Sequence, residues 1–239
     1  MSQTRTGLAN VYRRASHYPE VFHGWVDENV IHVSDLAIGT YVLVLPRRPE
    51  DLGWAPVVVN ECTGVRKCAR FTWLHPQCLE YLTSDNNAIV TIGHTDGRRG
   101  SQRSHYIGTP SPGTRRYNND LVLDARWRGR QGSGSCKGYC YNVVVEMMRD
   151  PERMADILDF ASEQERGVVA CAHGTHRSVA AGQVLQLFFH RHVDYRLASR
   201  DNCRCGKPAW SSIDELSNAA RQLAPPTNLA LLKDVWTIE

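Results

Sequence analysis

Short apolar runs punctuated by turn residues dominate the first third of the chain. Tyr41-Val42-Leu43-Val44-Leu45 is stopped by Pro46, Pro56-Val57-Val58-Val59 follows a turn around Gly53, and Phe71-Thr72-Trp73-Leu74 comes next. β-Branched and aromatic runs bounded by proline and glycine predict strands. Residues 1–85 are therefore expected to form a small β-rich or α+β accessory unit, and no catalytic pattern falls within it.

The pattern changes near residue 86. Ala88-Ile89-Val90-Thr91-Ile92 reads as a strand ended by Gly93, and Leu121-Val122-Leu123 as a second, buried one. Between them, Asp96 to Asn119 reads as loop from its glycines, prolines and serines, and Gly129 to Gly138 as a second flexible connection. Asp150-Pro151-Glu152-Arg153 predicts a helix start: aspartate caps orphan amides, proline suits the first position, and glutamate faces the positive end of the dipole. Met154, Ile157, Leu158 and Ala161 continue it as one apolar stripe, with Gly167 placed to end it. Val168 to Cys171 then reads as a strand, Val179 to His190 as an amphipathic helix and Val193 to Leu197 as another strand. This alternation predicts the α/β class, with a mostly parallel sheet and crossover helices over residues 86–201. Residues 202–239 are expected to be a tail with one helix, where Ser212-Ile213-Asp214-Glu215 has capping-box spacing and Pro225-Pro226 gives the stop.

Composition narrows the class. With 42% apolar and 22% charged residues among 239, the chain has globular rather than disordered character. No apolar run approaches the ~20 residues of a membrane span, and Met1-Ser2-Gln3-Thr4-Arg5 leads into no signal-peptide core. No membrane partner is expected, and secretion is not. Eight cysteines are too sparse for a disulfide scaffold, so reduced thiols inside the cell, with the cytoplasm as default, are the expectation.

The formal charge of +3 hides an asymmetry. Arg98, Arg99, Arg103, Arg115, Arg116, Arg126, Arg128 and Arg130 stand against only Asp120 and Asp124, a local charge of +6. Such a stretch attracts polyanions, RNA among them, through counterion release; on charge alone, a solvated loop kept soluble by its charges is the better-favoured, bland reading. The RNA-facing candidates are Arg98, Arg99, Arg103, Arg115, Arg116, Arg128 and Arg130.

The most informative segment is Cys171-Ala172-His173-Gly174-Thr175-His176-Arg177-Ser178, between a predicted buried strand and a helix start. The carboxyl end of a parallel strand is where α/β folds place ligands. A tight loop there turns backbone amides inward, and the positive end of the next helix adds to the field. Gly174 permits the curl, Arg177 grips two oxygens at once, and Ser178 caps the helix or touches the anion. Cys171 at the base would face that positive field, which favours thiolate. The spacing Cys-x5-Arg-Ser is the phosphate-binding signature of cysteine-dependent phosphatases, in which Cys171 would be the nucleophile and Arg177 the transition-state clamp. A general acid is then needed, and Asp124, Asp120 and Asp150 are the upstream choices, with Asp124 the first. A strand–helix turn around a buried cysteine is the bland alternative.

With its flanks, the segment Val169 to Ala180 resembles the C-terminal domain of the RapZ family, whose pattern is Gly-Cys-Thr/Ala-Gly-Gly-x-His-Arg-Ser-Val. Cys171, Gly174, His176, Arg177, Ser178 and Val179 match. Upstream, Asn119 to Trp127 resembles the family's Ala-Asp-x-Val-x-Asp-Val-Arg-Phe strand, and Gly93 to Gly97 loosely resembles the Gly-x-x-x-Gly that ends its first strand. The resemblance runs from Ala88 to Asp201. It implies a non-enzymatic α/β module that binds a phosphorylated amino sugar and structured regulatory RNA. Cys171, His173, Gly174, Thr175, His176, Arg177 and Ser178 would then hold an anion, with Asp124 and Arg126 lining or bracing the same strand ends. Ala172, His173 and Asp96 depart from the pattern, and residues 98–118 look like an insertion. No G-x-x-x-x-G-K-[ST] is present, so the nucleotide-binding domain of full-length members is not implied and no cofactor is expected.

Cys136, Cys140, Cys203 and Cys205 form a weak alternative as zinc ligands, since neither spacing is the usual C-x2-C. The leading expectation is thus a regulatory module whose loop holds a phosphate-bearing ligand, with RNA or assembly with other copies as further partners. A cysteine-dependent phosphatase and a structural component with a vestigial loop are the competing readings.

Overall fold

In a computed structural model, residues 6–14, 30–63, 66–82, 89–93, 113–117, 120–127, 136–163, 166–196 and 207–223 are described. They form a mixed α/β structure with two sheets and four helices.

The first sheet is antiparallel, in the order β4-β3-β2-β1-β5. Its strands are β1 (Gly7–Val11), β2 (Tyr41–Val44), β3 (Ala55–Thr63), β4 (Arg66–Leu74) and β5 (Leu79–Tyr81). β3 and β4 pair along their full lengths, from Ala55 opposite Leu74 to Thr63 opposite Arg66. The valine triplet at 57–59 is buried throughout, so β3 is covered on both faces there.

The second sheet has the order β10-β6-β9-β8-β7, from β6 (Ile89–Gly93), β7 (Gly113–Tyr117), β8 (Asp120–Asp124), β9 (Gly167–Cys171) and β10 (Val193–Tyr195). β10, β6, β9 and β8 are mutually parallel, and β7 is an antiparallel edge. Helices α1 (Tyr141–Met148) and α2 (Pro151–Ser162) connect β8 to β9, α3 (Arg177–Phe189) connects β9 to β10, and α4 (Ile213–Arg221) follows.

Helix α2 forms where capping chemistry asks for it. Asp150 accepts from the amides of Glu152 and Arg153, each at 3.1 Å, and Pro151 opens the first turn. Its apolar face packs against β3 and β4 of the first sheet and β7 and β8 of the second. α3 touches β6, β9 and β10 and reaches β1, so both helices join the two sheets. The buried residues accordingly form one continuous cluster. Two polar links reinforce it: Asn60 donates to Asp159 of α2, and Arg221 of α4 grips Asp51 at 3.1 and 2.9 Å.

Three local expectations are corrected, and one helix is unanticipated. Part of the expected loop at 96–119 is β7; its Thr-Arg-Arg-Tyr sequence is polar because an edge strand need not be buried. α1 has no expected counterpart, because its Val143-Val144-Val145 run has strand propensity, yet all three valines are buried in a helix. Gly167 does not end α2, which stops at Ser162; it starts β9, where a side chain would strike the ring of Phe160. Ser212 makes no capping bond to the backbone of α4; it bonds the side chain of Glu215, which Lys207 also holds at 2.5 Å. Pro225 and Pro226 lie outside the described residues.

No described helix is long and apolar enough to cross a membrane.

Candidate functional site

Three parallel strands end side by side. Gly93 of β6 is in register with Cys171 of β9, and Asp124 of β8 with Ala170. Residues 172–176 leave this edge as a tight turn and enter α3 at Arg177. Gly174 takes φ +68°, the left-handed region that a residue with a Cβ enters only under strain.

The turn is held between two more glycines. A Cβ on Gly93 would lie 2.6 Å from the carbonyl carbon of His173 and 2.8 Å from the amide nitrogen of Gly174. On the other side Gly138 donates its amide to the carbonyl of Thr175 at 3.0 Å. A Cβ there would overlap the His176 carbonyl and the side chain of Val179. The loop backbone thus rests directly on the backbone of its neighbours.

Inside the curl, polar groups converge on sulfur. The Gly174 amide donates to the Cys171 Sγ at 3.2 Å, and the Ser178 hydroxyl lies 3.2 Å from the same atom. Cys171 and Ser178 are both buried, at 3% and 0% exposure.

The surroundings are cationic. Arg177 is half-buried; burial lowers its pKa first, then the charge of Arg153, while Cys171 opposes the shift. Arg153 is itself nearly buried and pairs with Asp150 at 3.0 Å. His176 is pushed below its usual 6.5 by burial, then by Lys137, His173 and Arg177, against a hydrogen bond to the Cys136 backbone. Its Nδ1 lies 3.1 Å from the Thr175 hydroxyl. The His176 ring therefore ties the loop to the segment around Cys136, while His173 is exposed at the mouth.

Asp124 is fully buried and bound by Arg126, whose Nε and Nη2 lie 2.9 and 2.6 Å from its two oxygens. The Arg126 amide adds a third bond at 3.2 Å. With both oxygens engaged, this carboxylate is built as a brace at the strand end. Among the other acid candidates, Asp150 caps α2 and pairs with Arg153, and Asp120 starts β8, at the end of that strand opposite the loop.

The arginine stretch is only partly in view. Arg116 is exposed on β7 and pairs with Glu163 at 3.3 Å, and Arg115 is its neighbour on the strand. Arg98, Arg99, Arg103, Arg128 and Arg130 lie outside the described residues. The weak zinc alternative is corrected at one position, and so is the expectation of reduced thiols. Cys140 is disulfide-bonded, and a disulfide sulfur is not a thiolate ligand. Cys68, Cys78, Cys136 and Cys171 are not disulfide-bonded, and Cys203 and Cys205 lie outside the described residues.

Several contributors escape a reading of the motif alone: Gly93 and Gly138 as seats for the loop, Lys137 beside His176, and Arg153 beside Arg177. Arg153 carried a signal, since it shares a helix face with the apolar stripe continued by Ile157, where a cation needs a reason.

No family model matches the chain, and no curated protein or solved structure is significantly similar to it.

Proposed function

We propose that the Cys171–Ser178 loop receives a small oxyanion, with a phosphate or phosphate ester as the ligand class. The observation that carries this reading is the convergence of the Gly174 amide and the Ser178 hydroxyl on the Cys171 sulfur at the start of α3. Donors gathered at a helix N-terminus form a concave positive site, and Arg177 on its rim supplies the fork that phosphate oxygens fit. Arg153 strengthens the field from behind. In this reading Cys171, His173, Gly174, Thr175, Arg177 and Ser178 meet the ligand. His176 and the Asp124–Arg126 pair hold the frame. The similarity of residues 88–201 to the RapZ C-terminal domain points to a sugar phosphate as the first ligand to test, and to a regulatory role. RNA is the proposed partner for the arginine-rich segment.

One observation favours a second reading, hydrolysis. A sulfur that accepts an amide and lies beside a hydroxyl at a strand end is placed as a nucleophile would be. Attack on phosphorus would form a sulfur–phosphorus bond and break the bond to the ester oxygen, which must then take a proton. Asp124, the first acid candidate, has both oxygens engaged by Arg126, which weighs toward binding without turnover.

Titrating the full chain with glucose 6-phosphate and assaying an aryl phosphate separates the readings. Saturable binding lost in Arg177→Ala, with no turnover, fits the receptor. Turnover abolished by Cys171→Ser fits the hydrolase. An Arg177→Ala variant unchanged in every property leaves a structural turn.

A further inference from the structure

A second polar cleft lies away from the loop, where the Pro46–Glu50 turn meets one face of α4. It is open to solvent, has a volume of about 420 Å³ and shares no lining residue with the Cys171–Ser178 segment. That volume is in the range of small-molecule sites. From the turn it is lined by Arg47, Arg48 and Glu50, and from α4 by Asp214, Ser217 and Arg221. Positions 214, 217 and 221 recur at helical spacing, so α4 presents one polar face to the turn.

Its walls are built rather than incidental. Arg221 is 9% exposed and is fixed by Asp51 and by the carbonyl of Pro46, yet its buried Nε has no hydrogen-bond partner. Asp51 is in turn held by the Trp73 Nε1 at 2.9 Å. The Nε of Arg47 and the Oε2 of Glu50 are likewise buried without partners. Buried polar atoms are nearly always satisfied; these three are closed to solvent but belong to side chains that line the cleft, so a modest turn of those side chains toward a bound polar group would satisfy them. Burial first, and then the neighbouring Arg221 charge, lower the Arg48 pKa against Glu50, Asp51 and Asp214 nearby. An anion placed there offsets the Arg221 charge.

We propose that this cleft binds a small organic anion that also carries hydroxyl or amino donors. Its phosphate or carboxylate lies against the Arg47 and Arg48 side chains, and its donors face Glu50 and Asp214. The site is independent of the oxyanion loop.

The test is calorimetric titration of the full chain carrying Arg177→Ala, which silences the loop, with glucose 6-phosphate and separately with citrate. The expected result is one saturable site for one of the two, weakened at least tenfold by adding Arg48→Ala. Arg48 sits on a surface turn, so an unchanged thermal melt of that variant confirms its fold. In the otherwise unaltered chain, the Ser217 and Asn218 amide resonances should shift on addition of the same compound. Absence of binding by both compounds to the Arg177→Ala chain overturns the proposal. So does binding that Arg48→Ala leaves unchanged. Neither result touches the reading of the Cys171 loop.

Discussion

The sulfur of Cys171 and the hydroxyl of Ser178 lie 3.2 Å apart, seven residues removed in sequence and on opposite sides of the curl. The contact joins the last residue of a buried strand to the first turn of a helix, and closes the ring of donors around the proposed anion site. Ser178 is fully buried, so its hydroxyl has little alternative partner in solvent. Ser178→Ala is expected to cost about 1 kcal/mol, the net worth of one buried hydrogen bond, measured by urea denaturation. It should also weaken phosphate binding, because it removes a donor from the site. Unchanged stability together with unchanged affinity would detach Ser178 from both roles.

Gly93→Ala tests the seat of the loop. The new methyl group would sit 2.6 Å from the His173 carbonyl carbon, in a backbone contact that no rotamer change relieves. The variant is expected to lose about 1–3 kcal/mol through overpacking and to bind phosphate at least tenfold more weakly. Retained affinity in a normally stable variant would mean that the loop geometry is not set by this contact.

His176 sets a pH dependence. Its pKa in the folded chain is below the usual 6.5, so the folded state holds fewer protons than the unfolded one between those two values. Stability from the neutral ring is present above 6.5 and is lost as pH falls through the folded pKa. Denaturation midpoints should therefore decline on acidification below 6.5, and His176→Gln should flatten that decline. Adding sulfate should raise the His176 pKa, seen as an upward shift of its ring-proton titration, because an anion offsets Lys137, His173 and Arg177.

Much of this arrangement was legible in the sequence. The cap at Asp150, the strand ending at Cys171 and the loop that follows announce themselves because their chemistry is local: a carboxylate facing amides, a run of buried apolar residues, a glycine at a sharp turn. What stayed hidden depends on the fold. Val143 to Val145 favour a strand until packing buries them in a helix, and the polar β7 is a strand only because β8 lies beside it. Gly93 and Gly138 owe their role to a loop far along the chain. The approach of Arg153 to Arg177 joins two helices, and spacing along one segment does not encode it.

Arg126 and Asp124 give a prediction about the frame. Removing the guanidinium takes its hydrogen bonds from a buried carboxylate and leaves the amide of Arg126 among its donors. Arg126→Ala is expected to cost about 2–3 kcal/mol, less than a fully enclosed pair because Arg126 remains 27% exposed. Asp124→Asn should be milder, and if Asp124 is a brace it should leave phosphate affinity within a few-fold. An aryl phosphatase activity that disappears in Asp124→Asn would instead assign it the work of a general acid.

Amide chemical shifts recorded while inorganic phosphate is added to the full chain report most directly on the central claim. The account predicts saturable shifts at Gly174 and Thr175, with one equivalent bound and both shifts lost in Arg177→Ala. Amides of residues 172–178 that stay fixed at saturating phosphate would contradict it.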